Sequence, residues 1–275
     1  FNETRLKVVN VKPIHLEEYC RHKIESGLSS NTVIKHIAVI RTALQDAVKN
    51  SVIRSNPADL VEKPKRVKPN SNYYKSEELC KLLAISKNTN IELPIYLAII
   101  FGLRRSEIVG LKWSAINFDD MTLSIQEKVV RKKQNGKIIE ISSDTMKTDS
   151  SKRMFLMNDD VCEYLKEVKE KQKNLIRSTN EFIDYVCVNE IGERLKVDYV
   201  THSFKKLLAK HDMQHIRFHE LRHSCCTLLK DNGVSIKDIQ AYAGHADYRT
   251  TANMYTHTDQ KNKLNSLNII TEIIR

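Results

Sequence analysis

Residues 218–223 read Phe218-His219-Glu220-Leu221-Arg222-His223, and these six positions choose between two architectures. His219 and His223 stand four apart with Glu220 beside the first. That is the H-E-x-x-H spacing of a zinc protease, in which two imidazoles bind metal and the glutamate activates water. His219 and Arg222 stand three apart, which on a helix sets both on one face, able to grip a phosphate. The surroundings favour the second reading. The extended zinc motif needs glycine three and histidine six residues after the second ligand, and those positions hold Cys226 and Leu229. No glutamate lies between Glu220 and Glu272, so only His245 or an aspartate remains as a further ligand, and no metal is expected.

Three other patches carry residue types suited to phosphate chemistry. In Gly102-Leu103-Arg104-Arg105-Ser106-Glu107 an arginine follows a glycine after an apolar run, where its guanidinium can fork onto two phosphate oxygens. Met146-Lys147-Thr148 puts a lysine on a turn between strands, and Ala243-Gly244-His245 is followed ten residues later by Tyr255-Thr256-His257. Each has an ordinary reading alone: a surface arginine, a solvated lysine, a capping imidazole, a half-buried tyrosine. Four such patches in one basic chain change the odds.

The chain of 275 residues holds 45 Lys and Arg against 34 Asp and Glu, a formal charge of +11, which favours a polyanionic partner. Hydrophobic residues make up 41%, with 7 Gly and 5 Pro, so disorder throughout is excluded. The longest nearly uncharged apolar run, Leu93 to Leu103, is too short to span a bilayer and reads as a buried helix. Six cysteines (Cys20, Cys80, Cys162, Cys187, Cys225, Cys226) form no C-x-x-C pair, which suits reduced thiols in a cytosol and assigns them to packing.

Pro13 stands where a helix can begin, giving one over Ile14 to Ser26; a second, capped by Ser29 or Ser30, carries apolar residues at helical spacing until Asn56-Pro57. Residues 1–62 form a small helical unit. Residues 63–74, with Lys63, Lys65, Arg66 and Lys68 between Pro64 and Pro69, read as a basic linker; residues 75–275 form the second domain. Residues 1–75 hold 14 Lys and Arg against 7 Asp and Glu, so the first part is disproportionately basic, and phosphate contacts are expected there. In the second domain, helices over Ser76 to Ala84 and Ile91 to Phe101 give way to strand alternation from Leu123, an Asn135-Gly136 hairpin turn, and a third run, Arg153 to Met157, completing one small antiparallel sheet. The rest reads as helices over Asp159 to Ile176, Val197 to Lys210, His219 to Asp231 and Ile236 to Tyr242, with a C-terminal segment beyond Asp259. The fold expected is mainly α with a small antiparallel β-sheet.

Arg104-x-Ser106-Glu107, Lys147, His219-x-x-Arg222, Gly244-His245 and Tyr255 resemble, in order and rough spacing, the tyrosine recombinase (phage-type integrase) family, most closely the integrases of conjugative transposons and phages. The departures are Phe101 where the family often has Thr, Ala243 where Leu usually precedes Gly-His, and fewer N-terminal helices than usual, so the first helix is expected upstream of Phe1. The resemblance implies a helical core-type DNA-binding domain followed by a mixed α/β catalytic domain. It implies a site-specific recombinase, with Tyr255 as nucleophile, His219 as general base, Lys147 as general acid, Arg104, Arg222 and His245 stabilising the transition state, and Glu107 supporting them. It implies no cofactor, double-stranded DNA core sites and a Holliday junction as partners, a homotetramer on DNA, an excisionase or host DNA-bending protein, no membrane, and a bacterial cytoplasm as the place of action. The rival activities are a type IB topoisomerase and the H-E-x-x-H zinc protease. Were Tyr255 not the nucleophile, Tyr242 or Tyr248 stands next.

Overall fold

The computed structural model describes residues 6–67, 72–143, 153–179 and 184–244. Lys68, Lys147, His245, Tyr248, Tyr255 and the C-terminal segment lie outside the described residues. The chain divides into two compact units, residues 1–70 and 71–275.

The first unit is built on helices α1 (Pro13–Glu25) and α2 (Ser30–Lys49). Pro13 occupies a first-turn position, where its fixed φ is suited to a helix and its missing N–H costs nothing. Ser29 caps α2 by accepting from the Thr32 N–H, a contact typically worth about 1 kcal/mol. Leu16 and Cys20 of α1 pack on Val33, Ile37 and Leu44 of α2, with Ala58 and Val61 closing this core. Helix α2 stops at Lys49, short of the Asn56-Pro57 end its apolar spacing suggests. The Asn50 amide donates to the Asp46 carbonyl, Ser51 takes φ of 58°, and Asn56 instead caps a separate 3-10 turn, Pro57–Asp59. Lys63, Lys65 and Arg66 are exposed, and the Val67 carbonyl accepts from Asn31 Nδ2 at 2.6 Å.

The second unit opens with α3 (Ser76–Ser86), α4 (Glu92–Ile100) and the short α5 (Arg105–Ile108). Its strands fall into two sheets where the sequence suggests one. Strands β1 (Ile116–Asn117), β2 (Thr122–Ile125) and β5 (Arg153–Leu156) form an antiparallel sheet in the order β1-β2-β5. Strands β3 (Lys128–Gln134) and β4 (Lys137–Ser143) form a separate hairpin through Asn135-Gly136, both at positive φ as a tight hairpin turn requires. The break lies at Gln126-Glu127, where Glu127 accepts from Lys112 Nζ at 2.8 Å and Ser142 Oγ at 2.9 Å, so β3 leaves the first sheet and β5 takes the place beside β2.

Helices α6 (Asp159–Thr179), α7 (Val197–Lys210), α8 (Glu220–Asp231) and α9 (Ile236–Ala243) follow. Ile95 and Leu97 of α4, Ile108, Leu123, Ile125, Phe204 and Leu221 share one core. The chain reaches α3 through Tyr74, whose N–H donates to Ser224 Oγ at 2.9 Å and whose hydroxyl donates to the Gln214 carbonyl. Five cysteines are buried; Cys80 on α3 is exposed, so a packing role does not hold for it. Among the described residues no helix is long and apolar enough to cross a membrane.

Candidate active site

The site is assembled where α4 hands the chain to α5. Gly102 turns it there with φ of 58°, in the left-handed region that costs any other residue about 1–2 kcal/mol. Arg104 is thereby the N-cap of α5, and Glu107, one turn on, reaches back to accept its backbone N–H at 2.8 Å. Glu107 Oε1 also accepts from Arg104 Nη1 at 2.8 Å, while Arg104 Nη2 donates to the Gly244 carbonyl at 2.8 Å. The Arg104 side chain remains one-third exposed, so it bridges the protein interior and solvent.

Glu107 is 2% exposed and held from its other side by Arg153, the first residue of β5, at 2.9 Å to Oε2. Burial pushes the Glu107 carboxyl up, but the charge and hydrogen bond of Arg153 and those of Arg104 outweigh it, so its pKa lies below the usual value.

Arg222 lies on α8 with 1% exposure. Its Nη1 donates to the Gly102 carbonyl at 2.7 Å and its Nη2 to the Ala243 carbonyl. Burial first, and then repulsion by Arg104 and Arg153, lower its pKa to about 9. Arg104 and Arg222 therefore grasp the last turn of α9 together, at the carbonyls of Gly244 and Ala243. Gly244 closes α9 in the left-handed conformation, and His245 is the next residue.

His219 is the N-cap of α8. The residue is exposed as a whole, yet the surrounding protein partly desolvates its imidazole. That desolvation lowers its pKa below the usual histidine value, with repulsion from Arg222, Arg104 and Arg217 adding to it and Glu107 opposing. The shift favours the neutral imidazole. Glu220, by contrast, is committed to its own helix end. It accepts from the Arg217 backbone N–H at 2.5 Å and from Arg217 Nη2 at 2.9 Å. His223 packs edge-on to the Tyr73 ring with centroids 5.9 Å apart. Among the described residues no group of three or more His, Cys, Asp or Glu could hold a metal ion.

Two described tyrosines of the second unit, Tyr242 and Tyr164, have their hydroxyls committed elsewhere. The Tyr242 hydroxyl donates to the Ile100 carbonyl at 2.6 Å, and burial drives its pKa up; Tyr164 donates to Glu92 and is raised likewise. Sequence reasoning brought Arg104, Glu107, His219 and Arg222 to the fore and missed Arg153, which it took only as part of a strand. The signal was there: period-two alternation puts Arg153 on the same face as buried Phe155.

Comparison with known proteins identifies the family and the fold. The Phage integrase SAM-like domain profile matches residues 4–67, and the Phage integrase family profile matches residues 72–262. The chain is 25% identical over 285 residues to a tyrosine recombinase XerC-like protein of Caldanaerobacter subterraneus subsp. tengcongensis, covering 98% of this chain and 73% of that protein. It is 27% identical over 268 residues to the transposase from transposon Tn916 of Enterococcus faecalis, covering 90% of this chain but 64% of that protein. In fold it resembles the Tn1549 transposon integrase solved in complex with transposon right end DNA, with a TM-score of 0.80 at 21% identity over 97% of this chain and 87% of that one. It also resembles a lambda integrase tetramer bound to a Holliday junction, with a TM-score of 0.63 at 17% identity over 87% of this chain and 65% of that one. The chain belongs to the phage integrase family of tyrosine recombinases.

Proposed function

We propose that this chain is the core-binding and catalytic part of a site-specific recombinase that cleaves and rejoins duplex DNA to integrate or excise a mobile element. The observation that carries this reading is the convergence of Arg104 and Arg222 on the end of α9, directly before His245, in a cluster that holds more guanidinium than carboxylate charge. Such a cluster attracts one kind of ligand, an anion with several oxygens, and a phosphodiester supplies it.

Tyr255 Oη attacks the phosphorus, forming a phosphotyrosyl bond as the bond from phosphorus to the 5′ oxygen breaks. A free phenol has a pKa of about 10, so its proton needs an acceptor, and neutral His219 takes it. Lys147 gives a proton to the departing 5′ oxygen. Arg104, Arg222 and His245 neutralise charge growing on the non-bridging oxygens, and Glu107 orients Arg104. The 3′-phosphotyrosyl ester keeps the phosphodiester's energy, so rejoining draws on no cofactor. Lys63, Lys65, Arg66 and Lys68 add phosphate contacts beside the core-binding unit. Recombination of two duplexes needs four cleavages, which calls for a homotetramer working through a Holliday junction in the cytoplasm, with an excisionase or DNA-bending protein setting direction.

The test is a nicked duplex carrying the element's end. The protein should form a detergent-stable adduct at the 3′ side and, with paired sites, recombinant junctions. Tyr255→Phe should bind the duplex normally and form no adduct. Adduct formation by that variant would move the nucleophile elsewhere, and adducts without junctions would mark a topoisomerase.

A further inference from the structure

Glu107 carries one negative charge, and two guanidinia compete for it. Arg104 takes Oε1 through Nη1 at 2.8 Å, and Arg153 takes Oε2 through Nη2 at 2.9 Å with Nη1 at 3.4 Å from Oε1. The two arginines differ in what else they can reach. The Arg104 side chain is one-third exposed and open to a ligand, whereas the Arg153 side chain is 7% exposed and shut away from one. Arg153 is fixed further by its place opposite Ile125 in the sheet and by the Phe155 ring, 5.5 Å from its guanidinium carbon to the centroid.

We infer that Arg153 is a positioning residue of the strand-cleavage step: it neutralises Glu107 from behind, so that the charge of Arg104 stays available to the scissile phosphate. With Arg153 present, the three guanidinia of Arg104, Arg153 and Arg222 face one carboxylate, and the cluster keeps a surplus of two positive charges. Without it, Glu107 offsets Arg104 alone, and half of that surplus is gone. Arg153 has a second consequence. It pins the start of β5 to α5, immediately after residues 144–152, which include Lys147.

This inference rests on the recombinase reading above, and a charge-reciprocity cycle separates the two. Single-turnover cleavage of a nicked duplex is measured at saturating protein for the wild type, Arg153→Gln, Glu107→Gln and the double variant, with DNA affinity and thermal unfolding measured on each. Arg153→Gln should cleave roughly 10–100-fold more slowly, the usual cost of losing a supporting partner, with affinity unchanged within a few-fold. Replacing Glu107 by Gln in that variant should raise the rate again above that of Arg153→Gln alone, because the amide oxygen can still accept from Arg104 and orient it while no longer offsetting its charge.

A double variant as slow as the product of the two single defects, or Arg153→Gln cleaving at the wild-type rate, overturns the inference. If Arg153→Gln does not fold, the folded double variant and Arg153→Lys carry the test. Both should cleave within about 10-fold of the wild type, and a larger loss in both with normal unfolding overturns it. If the wild type itself forms no adduct, it is the recombinase reading that has failed.

Discussion

Arg222 Nη1 donates to the Gly102 carbonyl at 2.7 Å, joining positions 120 residues apart in the chain. Gly102 adopts the left-handed conformation at the turn where its carbonyl meets Arg222 and the chain enters α5 at Arg104. The same turn thus touches both arginines.

Gly102→Ala should therefore cost activity beyond its cost in stability. The added Cβ would meet Cys225 Sγ at 3.4 Å, an ordinary contact, so the penalty is conformational, about 1–2 kcal/mol. The midpoint of thermal unfolding should fall by roughly 2–8 °C for a unit of this size. Cleavage at a temperature where the variant is fully folded should drop further than that loss explains. Unimpaired cleavage would show that the carbonyl does not set Arg222.

The pKa of His219 is depressed, by burial first and then by Arg222, Arg104 and Arg217. Its contribution to stability is complete above the unfolded value of about 6.5 and is lost as the pH falls from there to the folded value. Cleavage at subsaturating DNA should show an acid limb below pH 6.5, reporting the free protein, and His219→Gln should abolish that limb. A limb at or above pH 6.5, or one unchanged in the variant, would remove His219 as the base.

In the proposed mechanism Lys147 is the acid that protonates the 5′ oxygen. Lys147→Ala should slow cleavage by roughly 10²–10⁴-fold. A substrate with sulfur at the bridging position releases a thiolate, which needs no proton, so the variant should recover most of its rate there while Arg104→Ala does not. Equal defects of Lys147→Ala on both substrates would make Lys147 a DNA-positioning residue.

Glu220 is held by Arg217 through backbone and side chain, leaving the H-E-x-x-H spacing without its water-activating carboxylate. Cleavage should persist undiminished after exhaustive chelation, and the purified protein should contain no stoichiometric zinc. Activity lost to chelator and restored by zinc would reinstate a metal.

Arg104, Glu107, His219 and Arg222 were legible because their chemistry is written in residue type and local spacing, and α7 emerged over the same residues, Val197–Lys210, from its period alone. Partners distant in sequence were not legible. That β5 pairs with β2, Leu123 opposite Phe155, while β3 and β4 stand apart, depends on which strands meet, and alternation reports only which face each strand buries. Arg153 escaped for the same reason, since its partner Glu107 lies 46 positions away. Phe101, a departure from the usual family residue, is accommodated by an edge-on contact with Phe155 at 5.1 Å that no local pattern signals.

The two bonds of Tyr74 give the second unit a mechanical property. The backbone arriving from residue 72 is stitched to Ser224, two positions beyond Arg222, and to the Gln214 carbonyl before it meets its own first helix. A pull on the backbone ahead of α3 would therefore bear on the first half of α8 as well as on α3. The anchored backbone and the buried guanidinium of Arg222 share α8 as their support.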